Sequence, residues 1–242
     1  MKKLWEKLIF ISVSLPIGYL LGIIFRILCL FRIIKVSHWE RFPHFKGRLV
    51  LVSNHPSLLE PILLPALFFW EYLFHPFKLA PWSTPDKQNY YDKWYWFWLR
   101  PRAIPIERRD PGGKARALVK MIRVLKKGGI IILFPEGGRT FKGERFHFSK
   151  KENKKIRDFE GGIGWIVAKT GATVLPVWVD GADNVLPNSP DKLYHTFPRI
   201  WRRTIIKIGE PIEFVPSEHP SSEERRYIEE KIRDTLLELA DE

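Results

Sequence analysis

The longest hydrophobic stretch comes first. Leu8 to Phe25, LIFISVSLPIGYLLGIIF, carries no charge, follows Lys2, Lys3 and Lys7, and is followed by Arg26, Arg32 and Lys35. Core helices of this length seldom lack a polar face, so the run reads as a membrane seat. No small-residue cleavage site follows it, which predicts a retained anchor rather than a signal peptide. As one straight helix it would be about 27 Å long against a hydrocarbon core of roughly 30 Å. Pro16 and Gly18 near its middle favour a bend or a helical hairpin dipping into one leaflet, with both ends on the cytoplasmic side. Basic residues flank the run on both sides, so they give no asymmetry to orient a single span.

After a linker rich in His, Pro and Lys (Ser37 to Lys46), short apolar runs alternate with amphipathic stretches. That rhythm predicts an α/β fold, with a central, mostly parallel or mixed sheet flanked by helices. Expected strands are Arg48 to Ser53, Phe77 to Pro81, Ala103 to Glu107, Ile130 to Phe134, Thr173 to Val179 and Thr204 to Ile208. Most are continuous apolar runs, as suits a sheet covered on both faces. Helical spacing appears over Gly113 to Lys127, over Gly162 to Lys169 and from Ser222 onward, where Ile228, Ile232, Leu236 and Leu239 form one stripe. The expected organisation is a membrane-seated helical segment over residues 1–36 and an α/β domain over residues 37–242.

Composition narrows the partners. Forty Lys and Arg against 27 Asp and Glu give a formal charge of +13, which calls for an acidic partner: nucleic acid, an anionic membrane surface or a phosphorylated substrate. The densely aromatic stretch Tyr90 to Trp98 could stack on bases. Nucleic-acid platforms spread their aromatics over a sheet face, however, and no nucleic-acid-reading motif is present, so no nucleic-acid partner is expected. An interfacial or core role suits the stretch better. Lys142 to Asp158 reads as a solvated basic loop. The single cysteine, Cys29, excludes a disulfide framework and a thiolate metal cluster, and fits a reducing, cytosol-facing location. No metal is expected.

Three strand ends carry candidate chemistry. The first, LVLVSNHPSLLEP from Leu49 to Pro61, presents His55 with Glu60 five positions on. A neutral imidazole suits proton abstraction from a hydroxyl, and a carboxylate on its other nitrogen would fix the tautomer. Pro61 fits the first position of a helix, so residues 56–59 would turn back and bring the pair within reach. On these residues alone, a surface His beside an unrelated capping Glu stands equally open. The second stretch, GIIILFPEGGRT from Gly129 to Thr140, follows a strand with a glycine loop and Arg139, the makings of an anion-binding nest with a bidentate clamp. The third, AIPIERR from Ala103 to Arg109, ends in arginines.

In this order and spacing, these stretches resemble the glycerolipid acyltransferase family typified by bacterial 1-acyl-glycerol-3-phosphate acyltransferase. Asn54, His55 and Glu60 match its Asn-His, four residues, Asp motif. Ile104 to Arg108 match a strand ending in an acid and Arg, Phe134 to Thr140 match Phe-Pro-Glu-Gly-Thr-Arg-Ser, and Val174 to Val177 match an apolar strand holding a proline. The N-terminal hydrophobic segment is also similar to the family's membrane-seated helices. The resemblance implies that His55 is the general base and Glu60 its orienting partner, while Arg108, Glu136, Gly137 and Arg139 hold the acceptor's glycerol phosphate. It implies no cofactor, only an acyl-CoA or acyl carrier protein donor, a lysophospholipid acceptor and the bilayer as partners, at the cytoplasmic face of the inner or plasma membrane. The missing Gly-x-Ser-x-Gly elbow then has a reason, since the attacking hydroxyl belongs to the substrate. The implied product is phosphatidate. Glycerol 3-phosphate or another lysophospholipid as acceptor, and an inactive lipid-binding scaffold, are the alternatives. Four departures stand out: Glu60 for Asp, Gly138 for Thr, Pro105 where an aromatic is common, and Arg102 where Gly is usual. A related family of lipid A acyltransferases is similar in accepting either acid after the His, so the departures bear on subfamily rather than chemistry.

Overall fold

The computed structural model describes residues 2–43, 47–188, 199 and 201–242; positions 44–46 of the expected linker lie outside them. The N-terminal run is one continuous helical rod, with α1 (Lys2–Ile9) joined to α2 (Leu15–Leu30) through a π-helical turn over Phe10–Ser14. This corrects the expected hairpin. Pro16 falls in the first turn of α2, where a missing N–H is tolerated, and the wider turn before it takes up the local mismatch without reversing the chain. Leu4–Leu30 is long and apolar enough to cross a membrane, and only 17% of its most apolar window is buried. Leu4, Trp5, Leu20 and Leu30 stand exposed along it, an arrangement suited to membrane association.

The rod's other side packs on the domain. Tyr72 Oη donates to the carbonyl of Gly18 at 2.7 Å, and Gly22 gives its missing side chain's space to the Phe69 and Tyr72 rings. Arg102 joins the same seam. It donates to the carbonyls of Pro76 (3.0 Å) and Phe77 (2.6 Å) and lies over the rings of Phe10 and Trp82. Burial there lowers its pKa to about 10.

Three residues after α2 the chain enters β1 (Ile34–Ser37), a strand the sequence pattern did not disclose, which runs across the expected junction of residues 36 and 37. Next come β2 (Leu49–Ser53), α3 (Glu60–Leu67), α4 (Phe69–Phe74) and α5 (Pro76–Leu79). The last of these corrects the strand expected at Phe77 to Pro81: a short apolar run with no alternation serves a helical turn equally well. The aromatic stretch divides between a π-helical turn over Lys87–Tyr91 and 3-10 turns over Trp94–Arg102 that are broken by a kink at Trp96. Its neighbour at Ala103 to Glu107 is extended but shorter than expected, bridging Ser83 through Ala103 and Asp86 through Ile106.

The remaining elements are α6 (Pro111–Lys126), β3 (Ile130–Leu133), β4 (Phe146–Phe148), β5 (Lys155–Arg157), α7 (Ile163–Thr170), β6 (Thr173–Asp180), α8 (Ala182–Val185), β7 (Thr204–Ile208) and α9 (Ser222–Ala240). The segment read as a basic loop thus contains an antiparallel hairpin, β4 with β5. Its strands are three residues long, too short for an alternation to stand out among the charges. The main sheet runs β1-β7-β6-β2-β3, parallel except for β6 with β7. Both of its faces are covered. Leu49 and Leu51 of β2 face one core with α3 and α4, and Val50 and Val52 face a second with α6, α7 and α9. A period of two divided between two apolar layers gives the unbroken hydrophobic runs seen in the sequence.

Candidate active site

The site starts where β2 stops. Asn54 is buried, and its carboxamide takes over the ladder to β6, accepting from Val179 N–H at 2.8 Å and donating to Val179 C=O at 2.9 Å. The following residue leaves the sheet. His55 therefore emerges at the carboxyl end of a central parallel strand, where open α/β sheets leave a crevice. Its ring stacks on Phe134 at 4.4 Å between centroids.

Glu60 opens α3 and has no exposed surface. One carboxylate oxygen lies 3.0 Å from His55 Nδ1 and the other accepts from Ser57 N–H at 2.9 Å. Ser57 Oγ in turn accepts from Leu59 N–H at 3.0 Å, tightening the turn that brings the acid back to the base. With both carboxylate oxygens engaged and all neighbours of Glu60 donating, His55 Nδ1 carries the proton and Nε2 is left as the acceptor. Among the described residues Nε2 makes no hydrogen bond. Nearby hydroxyls take part in other hydrogen bonds: Ser53 Oγ donates to the Asn54 carbonyl at 3.0 Å, Thr140 Oγ1 donates to Glu136 at 2.8 Å, and Ser57 Oγ accepts from Leu59 N–H.

Glu136 is also fully buried. Its Oε1 takes the His55 N–H at 2.8 Å together with Thr140, and its Oε2 takes the Arg157 N–H at 2.9 Å. Burial raises its pKa, opposed by these donors. One carboxylate thus ties the loop after β2, the loop after β3 and strand β5 into one body. The sequence reading expected Glu136 at the acceptor's phosphate; here its carboxylate has no exposed surface and is engaged by protein donors.

Gly137 has a φ of +66°, and its N–H closes a turn onto Phe134 C=O at 3.1 Å. A side chain there would run into Glu160. Beyond it, the amides of Gly138 and Arg139 make no hydrogen bond among the described residues, leaving two donors on the loop. Arg139 donates from Nη1 to Asn188 Oδ1 at 3.0 Å and lies 4.8 Å over the Phe141 ring. Asn188 reaches back to the Pro56 carbonyl at 2.6 Å, linking Arg139 to the His55 turn. Arg108 approaches from the neighbouring loop with its Nε 3.2 Å from Asp86. Tyr90 stands near both arginines: burial pushes its phenol pKa up, and Arg139 and Arg108 pull it down. His55, Glu60, Arg108, Gly137 and Arg139 are thus gathered at one end of the sheet. Asn188 and Thr140 had no assigned role in the sequence reading, because their parts depend on contacts between distant loops. Among the described residues no group of three or more His, Cys, Asp and Glu side chains gathers as a metal site would require.

The His55 imidazole thus holds a carboxylate at Nδ1 and leaves Nε2 open at the end of the strand. Residues 33–180 match the family model described as Acyltransferase, and the chain belongs to that family. It is 27% identical to a chloroplastic 1-acyl-sn-glycerol-3-phosphate acyltransferase of Arabidopsis thaliana over 163 residues, covering 65% of this chain and 39% of that protein. It is likewise 27% identical to a chloroplastic enzyme of the same name from Brassica napus over 152 residues, 63% of this chain and 38% of that protein. The match therefore spans well under half of either plant protein. A 1-acyl-sn-glycerol-3-phosphate acyltransferase of Borreliella burgdorferi is 24% identical over 197 residues, 73% of this chain and 68% of that protein. Among solved structures, the 1-acyl-sn-glycerophosphate acyltransferase PlsC of Thermotoga maritima superposes with a TM-score of 0.61 at 25% identity, over 94% of this chain and 80% of that one.

Proposed function

We propose that the protein transfers a fatty acyl group from an acyl thioester, acyl-CoA or acyl carrier protein, to the free hydroxyl of 1-acyl-glycerol-3-phosphate, forming phosphatidate at the cytoplasmic face of a membrane. The observation that carries this reading is the His55–Glu60 pair, with Nε2 free to accept and the neighbouring hydroxyls taking part in other hydrogen bonds. His55 Nε2 takes the proton of the acceptor hydroxyl as its oxygen attacks the thioester carbonyl. Glu60, holding Nδ1–H, stabilises the imidazolium that forms. Collapse of the tetrahedral intermediate expels the thiolate, which receives the proton from Nε2, so His55 ends as it began. Arg108 and Arg139 neutralise the acceptor's phosphate, and the free amides of Gly138 and Arg139 are donors to the same anion. Glu136 acts by positioning, holding His55 and the arginine loop in register. The names of the relatives support the acceptor, and the apolar rod Leu4–Leu30 suits a substrate delivered from a bilayer.

The test is a detergent-solubilised assay of the full chain, crossing labelled acyl-CoA and acyl carrier protein donors with lysophosphatidate, glycerol 3-phosphate and diester lysophospholipids. Phosphatidate is the expected product. Absence of acyl transfer to lysophosphatidate from either donor would overturn the proposal.

A further inference from the structure

Two glycines near the site are not required by their backbones. Gly143 has a φ of −79°, open to any residue, and Gly138 is not among the glycines with positive φ. Both instead make room for one side chain. A Cβ on Gly143 would lie 2.7 Å from both Cδ and Nε of Arg157, and one on Gly138 would lie 2.9 Å from Arg157 Nη1. The same point at Gly138 is 3.3 Å from Nη1 of Arg108. Arg157 thus threads past one glycine and ends at the other, beside a second guanidinium and next along the chain from Arg139. Ile156 points into the core beneath α9, so the alternation of β5 sends Arg157 to the opposite side, toward the loop. Among the described residues the Arg157 guanidinium makes no ion pair and no hydrogen bond.

Two guanidiniums converging on one point repel, and an anion between them reverses the sign; the nearby Glu160 carboxylate, against Gly137, is paired with Lys114 and lies outside ion-pair distance of Arg157. Only Arg108 has a partial counterion, Asp86. We propose that Arg157 is a third anion-binding arginine, completing with Arg108 and Arg139 a site for a dianionic phosphate monoester, and that Gly138 and Gly143 are the space it needs. The departure from the family pattern at position 138 then has a cause: the chain gives up a side chain there to admit a guanidinium. A phosphate monoester carries about −1.5 to −2 charges at neutral pH and a diester only one, so three arginines select the monoester. This inference rests on the acyltransfer reading for its substrate. Its residue assignment does not.

The test uses the full chain with Arg157→Gln, Arg157→Lys and Gly138→Ala. The Arg157 N–H that holds Glu136 belongs to the main chain and survives each change, so the base stays in place. With saturating acyl donor, Arg157→Gln is expected to raise KM for lysophosphatidate about tenfold or more, the scale of one hydrogen bond to a charged group, with kcat within a few-fold. Arg157→Lys should recover part of the loss. Gly138→Ala should move KM in the same direction, since its methyl would lie 2.9 Å from the Arg157 Nη1 and 3.3 Å from the Arg108 Nη1 and so crowds the ends of both guanidiniums. Calorimetric titration with inorganic phosphate, independent of turnover, should show weaker binding to Arg157→Gln than to the parent chain. Unchanged acceptor KM and phosphate affinity in Arg157→Gln, or a loss confined to kcat, would overturn the assignment. A parent chain that binds phosphate through Arg157 but acylates no lysophosphatidate would overturn the proposed function and leave Arg157 in its place.

Discussion

Replacing Glu60 with Gln leaves size and hydrogen-bonding reach intact and changes one proton count. The buried amide has two orientations. In the first its oxygen stays on Ser57 N–H, the NH2 faces His55 Nδ1, and the proton must move to Nε2, which abolishes the base. In the second the oxygen accepts from Nδ1–H and preserves the tautomer, but the NH2 then opposes Ser57 N–H at a site with no exposed surface. An unsatisfied buried donor costs about 1–3 kcal/mol. The competent orientation is therefore disfavoured by roughly five- to 150-fold before the lost charge is counted. Loss of the carboxylate also removes the counter-charge for the imidazolium, and the equivalent acid-to-amide change in the serine protease triad costs about ten-thousand-fold. We expect kcat to fall by on the order of a hundredfold or more in Glu60→Gln. Glu60→Asp should retain more, since it keeps two acceptor oxygens at the cost of one methylene, and His55→Ala should be nearly inactive. The assay compares turnover of the three variants at saturating donor and acceptor, after equal folding and membrane association are established. Parental turnover in both Glu60→Gln and His55→Ala would refute the reasoning.

Other perturbations probe separate parts of the fold. Arg139→Lys keeps the charge but loses the fork that meets Asn188 and the plane that lies over Phe141; acceptor KM should rise on the order of tenfold with donor KM less affected, and an unchanged acceptor dependence would remove Arg139 from the phosphate site. Gly22→Val forces atoms into the Phe69 and Tyr72 rings; a loss of about 1–3 kcal/mol and a lower melting temperature in detergent are expected, and an unaltered melt would mean that α2 does not seat on α4. Burial raises the Asp241 pKa, but this is outweighed by the Glu152 N–H, the Ser149 hydroxyl and the Lys151 and Lys150 N–H groups, which bring it down to about 2. A depressed carboxyl stabilises above its unfolded pKa and loses that contribution as pH falls through the folded one. The amide resonances of residues 150–152 should therefore hold steady from neutral pH to about pH 4 and shift only as pH approaches 2; a transition centred near 4 would show that the latch exerts no pull.

The parts of the molecule legible in its sequence are those whose partners are near in the chain or whose burial is complete. β2, β3 and β6 appear as apolar runs because two cores claim their alternate residues, while β7 is buried at alternate positions, with Ile206 and Ile208 in one core. The His55–Glu60 pair is separated by one turn, so its geometry follows from local chain direction and Pro61. β1 was hidden because its four residues, Ile-Lys-Val-Ser, offer only two apolar positions and Lys35 reads as part of the rod's basic flank, and the β4–β5 hairpin because charges dominate its connecting residues. Glu136 shows the limit most clearly. Its position in the glycine loop suggests a contact with ligand, whereas three donors from three segments turn it inward. Arg157 lay further out of reach: nothing in a charged stretch tells which cation is admitted by glycines at 138 and 143.

The passage from the apolar rod into the sheet leaves no slack. Three residues separate Leu30 from Ile34, and from there β1 is hydrogen-bonded to β7, which is bonded to β6, which is bonded to the strand that delivers His55. Tyr72, donating to Gly18, and Arg102, lying over the Phe10 ring, fasten the rod a second and third time along its length. The base is thus joined to the rod as a tool is joined to its handle, and not as a weight on a string. Its height and heading relative to whatever surface the rod enters are settled when the chain folds, so on the proposed reading an acceptor has to arrive at that fixed level, because His55 has no tether with which to search for it.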